Sequence, residues 1–176
     1  MLTPLFVLIV VFIPMLIEAR RASLNERAQR ARGAVEPPGD VYKMMRVAYP
    51  AAFLAMIAEG FFRGRPAAPA LTAGVVAGIL LFGAAKALKW WAILTLGPFW
   101  TFRVIVVPGA PLVTGGPYRY LRHPNYVAVA GELAAVALMT GAVVTGPLGI
   151  VGFAALMLKR VAVEERALQG AILPPN

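Results

Sequence analysis

Apolar and polar residues do not alternate along this chain; they fall into blocks. Met1 to Ile17 is apolar apart from Thr3, and four further blocks run from about Tyr42 to Phe62, Pro69 to Leu94, Pro124 to Ala142 and Leu148 to Leu168. Blocks of this length match the ~20 residues that a helix needs to cross a bilayer core. No positively charged segment precedes the first block and no small-residue cleavage site follows it, so it is expected to be a retained helix. An all-α integral membrane protein of about five transmembrane helices is the fold these blocks predict, as one membrane domain over residues 1–176. Residues 1–66 form a two-helix N-terminal part of it, and residues 67–176 its core.

The connections are punctuated. R-R-A-S-L-N-E-R-A-Q-R-A-R reads as a juxtamembrane helix closed by Gly33, and Val35 to Asp40, with Pro37-Pro38-Gly39, as a breaker. F-F-R-G-R-P after the second block is an interfacial turn. Between the third and fourth blocks lies the one long polar connection, Gly97 to Leu121. Its T-F-R-V-I-V-V run is β-branched, Pro108-Gly109-Ala110-Pro111 makes a turn, and Leu112-Val113-Thr114 can pair back. A small cytoplasmic β-hairpin is therefore expected before the fourth helix, against helix ends and away from lipid, where an open edge would be unsatisfied. Thr145-Gly146-Pro147 turns the chain into the fifth block, where Gly149 and Gly152 allow close packing on the fourth helix.

Composition agrees with a membrane protein: 60% of residues are hydrophobic, 14% are charged, and the mean hydropathy is +0.74. There is no cysteine and a single histidine, which leaves no disulfide, no thiolate and no protein-ligated metal to expect. The net charge of +9 comes with no motif of a nucleic-acid reader, so no nucleic-acid partner is expected; the cations are read as topology signals and contacts to membrane lipid. Of the 17 Lys and Arg, seven lie between Arg20 and Arg46, five between Lys86 and Arg122, and three at Lys159, Arg160 and Arg166; Arg63 and Arg65 fall on the other side. That 15 to 2 split puts the N-terminus outside and the polar connection in the cytoplasm, as for a bacterial inner-membrane protein.

Chemistry is concentrated in P-L-V-T-G-G-P-Y-R-Y-L-R-H-P-N-Y, Pro111 to Tyr126, which contains the one histidine. A second polar cluster closes the fifth helix. Arg160 and Glu164 are four residues apart there and share one helix face, as an ion pair or as part of a site. Glu132 stands inside the fourth apolar block with Lys89, Arg160 or Arg119 as possible partners, and an ionisable group at that depth is a site hypothesis by default.

The string L-V-T-G-G-P-Y-R-Y-L-R-H-P-N-Y, followed by two apolar helices and R-V-A-V-E-E, resembles the signature of the isoprenylcysteine carboxyl methyltransferase family, integral membrane enzymes that use S-adenosyl-L-methionine. The upstream N-E-R-A-Q-R-A-R-G-A-V-E and A-L-K-W-W-A-I-L-T-L-G resemble the bacterial branch, some of whose members methylate alkylpyrone or alkylresorcinol lipids made by type III polyketide synthases. The resemblance implies a cofactor-binding methyltransferase core acting on a lipophilic small molecule. Its cofactor pocket would be built from Val106, Ala110, Pro111, Leu112, Val113, Tyr118, His123, Pro124, Asn125, Tyr126 and Glu164. Arg160 would face the substrate, and Arg160 or Lys89 would stabilise an acceptor oxyanion. Lys89 stands where eukaryotic members carry Arg, keeping the charge but losing the bidentate fork. Gly115-Gly116 replaces a commoner Ser-Gly, and Ala128 stands where a Gly often follows the Tyr by two. An NADPH-dependent membrane reductase of the steroid 5α-reductase or sterol reductase type, with its own R-H-x-N-Y string, and a phospholipid N-methyltransferase are the alternatives.

Overall fold

The structure, a computed structural model, describes residues 4–64 and 72–172, with side chains as far as residue 168. Its five helices are α1 (Pro4–Arg30), α2 (Tyr42–Phe62), α3 (Ala73–Leu96), α4 (Pro124–Thr140) and α5 (Thr145–Ile172). One-turn 3-10 helices follow α3 at Gly97–Phe99 and precede α4 at Gly116–Arg119. The expected start of the third span at Pro69 lies outside the described residues.

Among the described residues three segments, Tyr42–Phe62, Ala73–Phe99 and Thr145–Leu168, are long and apolar enough to cross a membrane, against the five spans expected. α4 has 17 residues, about 26 Å at 1.5 Å per residue, against a hydrocarbon core of ~30 Å. In α1 the apolar block runs straight into the arginine-rich segment as one 27-residue helix, because nothing between Ile17 and Arg30 breaks it. Large apolar side chains such as Leu80, Leu94, Leu148, Val151 and Leu158 point outward, as suits a hydrocarbon solvent.

The β-hairpin is a second correction, since no strand occurs among the described residues. One antiparallel bridge stands in its place: Val35 N–H donates to Val106 O and Val106 N–H to Val35 O, both at 2.9 Å. Val104 N–H goes instead to the Asp40 carboxylate at 2.9 Å. The backbone groups that were to pair with Leu112-Val113-Thr114 are thus taken by the α1–α2 connection. Pro108 and Pro111, which lack N–H groups, cannot complete a ladder.

Helix ends explain the remaining turns. Pro124 sits in the first turn of α4, where its missing N–H costs nothing, and Gly141 ends the helix in the left-handed conformation at φ 65°, donating to Ala137 O. Thr145-Gly146-Pro147, expected as a turn, is instead the first turn of α5. The orphan donors there are met from another helix: the Glu59 carboxylate of α2 accepts from Thr145 N–H at 2.7 Å, Thr145 Oγ1 at 2.6 Å and Val144 N–H at 3.1 Å.

The main core cluster includes Val11, Phe53, Met56, Phe82, Val129, Leu133, Val136 and Phe153, so all five helices contribute, and a smaller one joins Ala22, Ile93 and Trp100. α3 and α4 approach most closely, over Gly78 and Gly131. A Cβ at Gly78 would lie 2.8 Å from Ala135 O and 2.7 Å from Met139 Cγ; one at Gly131 would lie 3.1 Å from Ala85 Cβ. Gly149 packs on Ala52 and Met56 of α2 rather than on α4, and Gly152 meets nothing within 4 Å, which corrects the expectation for that pair.

Gly78→Val is therefore expected to destabilise the protein by roughly 1–3 kcal/mol, since a backbone carbonyl must move. Gly74→Ala, on the same helix with open space around it, should be near neutral. Thermal midpoints of the two variants in detergent check the contrast.

Candidate functional site

A cavity of about 960 Å³ opens between α1, α2, α5 and the α3–α4 connection. One side is apolar, with Met15, Leu16, Ala19, Met45, Pro50, Val129 and Phe153. The other is built by the polar connection and the exit of α5. All thirteen residues that the resemblance assigns to the site line it: Lys89, Val106, Ala110, Pro111, Leu112, Val113, Tyr118, His123, Pro124, Asn125, Tyr126, Arg160 and Glu164; Glu132 does not. They come together because Pro124 starts α4 directly after the connection and α5 returns antiparallel, setting its last turns beside the first turn of α4.

Arg160 and Glu164 do not pair directly. Arg160 Nε donates to Tyr126 Oη at 2.8 Å, and the Tyr126 hydroxyl donates to Glu164 Oε2 at 2.7 Å. A phenol has one proton to give, so the direction of this relay is fixed by the arginine at its head. Arg160 Nη1 lies 3.4 Å from Asp40 Oδ1, a residue read from sequence only as part of a breaker. Its one sequence signal is P-P-G-D-V-Y, an Asp two residues before a helix, whose Oδ1 accepts from Tyr42 N–H at 3.0 Å.

The His123 ring stacks on Tyr126 with centroids 5.5 Å apart. Its Nε2 is 3.3 Å from Glu165 Oε1 and its Nδ1 is 4.0 Å from Glu164 Oε2. Burial first, then the charge of Glu164, pushes the Tyr118 phenol well above its ordinary pKa, so it presents a neutral ring and hydroxyl. Two kinds of polar group are left over at the wall. Asn125 Oδ1 is buried without a hydrogen-bond partner, and the Leu112 and Val113 N–H groups have no protein acceptor among the described residues.

Lys89 is placed differently. Only 2% exposed, its Nζ lies 2.8 Å from Glu18 Oε2 and 3.3 Å from Glu132 Oε1. Lys86 Nζ is 2.8 Å from Glu18 and 3.1 Å from Glu132, and the Tyr49 hydroxyl donates to Glu132. Glu18 Oε2 and Glu132 Oε1 are within ion-pair distance of Lys89 but off its hydrogen-bonding directions. Two lysines and two glutamates from α1, α3 and α4 thus cancel in the bundle interior. The ammonium of Lys89 is engaged there, with one flank toward the cavity. Glu132 finds Lys86 and Lys89 as partners, not Arg160 or Arg119.

The connection is held against α1 by polar contacts. Asn25 donates to the Gly97 and Trp100 carbonyls at 3.0 and 2.8 Å, and Gln29 to the Pro98 carbonyl at 2.8 Å. Glu36 accepts from Arg30 and Arg103, each at 2.7 Å. Burial alone would raise the Glu36 pKa; the two guanidinium donors outweigh it and hold the carboxyl below the ordinary carboxylate range.

Compared with known proteins, residues 76–170 match the isoprenylcysteine carboxyl methyltransferase (ICMT) family. YpbQ, an uncharacterized protein of Bacillus subtilis (strain 168), is 32% identical over 148 residues, which cover 84% of this chain and 86% of that protein. No solved structure matches the chain.

Two outcomes follow from the charges. Lys89→Met leaves a buried net negative charge and should cost about 3–5 kcal/mol; adding Glu132→Gln restores neutrality and should recover part of the loss, read as thermal midpoints. Glu36 has a lowered pKa when folded, so its contribution to stability is present above the ordinary value of 4.5 and is lost as pH falls through the folded value. The acid-side fall of the midpoint should accordingly be shallower in Glu36→Gln.

Proposed function

Because the chain belongs to the isoprenylcysteine carboxyl methyltransferase family, a family of membrane methyltransferases, we propose that it uses S-adenosyl-L-methionine to methylate an oxygen of a lipophilic acceptor. The observation that carries this reading is the single cavity shared by the polar connection, the exit of α5 and an apolar flank. An amphiphilic pair of ligands needs both halves.

The groups left over at the wall fit the cofactor. The free N–H groups of Leu112 and Val113 suit a carboxylate, and the unpartnered Asn125 Oδ1 suits a donor such as an amine or a ribose hydroxyl. Glu164, with one oxygen held by Tyr126, has the other available for an ammonium or hydroxyl group. Tyr118, Pro124 and His123 provide flat walls for a base. When bound, the cofactor supplies an electrophilic methyl group on a sulfonium sulfur.

What the chain itself does is position and desolvate. Met15, Met45, Pro50 and Phe153 take the apolar body of the acceptor and keep water away, which strengthens every charge interaction in the site. Arg160 faces the same cavity with three of its five N–H donors unused among the described residues, since Nε and one Nη1 hydrogen account for its bonds. It holds the acceptor oxygen and its negative charge. Lys89, compensated by Glu18 and Glu132, contributes a weaker field from the side. The cation distribution supports a polar half on the cytoplasmic face of a bacterial inner membrane, where a water-soluble cofactor is available.

Titration calorimetry of the purified protein with S-adenosylhomocysteine and, separately, NADPH tests this. Saturable binding of the first and none of the second is expected, with Glu164→Gln weaker by about tenfold or more. Binding of NADPH alone would replace the methyltransferase with the reductase.

A further inference from the structure

We infer that Asp40, in the α1–α2 connection and outside the family-matched segment, is a positioning residue that keeps Arg160 from collapsing onto Glu164; this rests on the cofactor site proposed above. The geometry singles it out. The Asp40 side chain is 4% exposed and does not line the cavity, so it cannot act on a ligand directly. Its carboxylate is held from two directions, by Val104 N–H on Oδ2 at 2.9 Å and Tyr42 N–H on Oδ1 at 3.0 Å. A carboxylate clamped by two backbone donors is a charge at a fixed point, and Arg160 Nη1 rests against it at 3.4 Å.

The alternative partner for that guanidinium is near. Glu164 lies one helical turn on from Arg160, the spacing at which Arg and Glu pair on a helix surface. In the folded chain the two are instead separated by the Tyr126 hydroxyl, which accepts from one and donates to the other. That arrangement leaves one Glu164 oxygen free toward the cavity and leaves Arg160 donors for an acceptor. Remove the charge at position 40 and the strongest remaining pull on Arg160 is Glu164 itself. A direct pair there would displace the Tyr126 hydroxyl and neutralise the carboxylate offered to the cofactor.

A structural role and this one predict different results in one pair of variants. Asp40→Asn keeps an acceptor for one of the two backbone N–H groups and loses the charge. It should weaken S-adenosylhomocysteine binding about tenfold, measured by calorimetry at a temperature where circular dichroism shows the variant folded. Asp40→Asn combined with Arg160→Gln removes the side chain that collapses, and should bind severalfold more tightly than Asp40→Asn alone. If Asp40→Asn does not fold, Asp40→Ser, which also keeps an acceptor, replaces it in both arms. Wild-type affinity in the single variant, or a double variant no tighter than the single, overturns the inference. Absence of S-adenosylhomocysteine binding by the wild type instead overturns the cofactor assignment on which it rests.

Discussion

Charges inside an apolar bundle must cancel, and in this protein that constraint fixes which helices can be neighbours. A carboxylate or ammonium moved out of water costs several kcal/mol even after relaxation, and more if left alone. Glu18 of α1, Lys86 and Lys89 of α3 and Glu132 of α4 meet within 2.8 to 3.3 Å, and their formal charges sum to zero. Tyr49 of α2 adds a hydroxyl to Glu132 and its ring lies 5.4 Å from Lys89 Nζ. Each of these residues would be destabilising in a helix pair that lacked the others. The cluster selects the arrangement of α1 to α4 as sharply as the close α3–α4 contact at Gly78 does, and it does so by penalising the alternatives.

The cavity is a consequence of the same arrangement. With α1 tied to α3 and α4 near Glu18, its upper turns are free to lean over the α3–α4 connection, where Asn25 and Gln29 take the carbonyls of Gly97, Pro98 and Trp100. Space remains between α1, α2 and α5, apolar along the helices and polar at the connection. The site lies beside the place where these three hydrogen bonds hold α1 against the connection. That also accounts for the position of Tyr126 and Arg160, which line the cavity on its polar side.

Much of this was legible in the residues. Pro111 to Tyr126 announced itself by being polar and turn-rich in an apolar chain, and Glu164 by standing at the end of an apolar helix; both line one cavity. The β-branched run from Thr101 to Val107 misled, because propensity gives a wish to pair and not a partner, and Val35 was the nearer edge. Arg160 and Glu164 at helical spacing left an ion pair or a shared site open, and Tyr126 from another helix intervenes between them. Asp40 was hidden by its neighbours, since Pro37-Pro38-Gly39 explains a turn without any need for the carboxylate. The fifth-span count failed at α4 for a different reason: a 17-residue apolar helix can be apolar because protein covers it, and Leu133, Ala135 and Val136 are fully buried.

The residues outside the family-matched segment complete both polar constructions. Within 76–170 alone, Lys86 and Lys89 would share Glu132 and leave one positive charge uncompensated in the interior; Glu18, from α1, removes it. Arg160 in the same segment would have Tyr126 but no fixed anion, and Asp40 provides one. Both N-terminal acids face cations that the later helices present at membrane depth, where water cannot substitute for a missing partner. The first two helices are therefore part of the site's electrostatics and not merely its enclosure. A change in them that leaves the polar connection and α5 untouched can still alter the charge that those segments offer to a ligand.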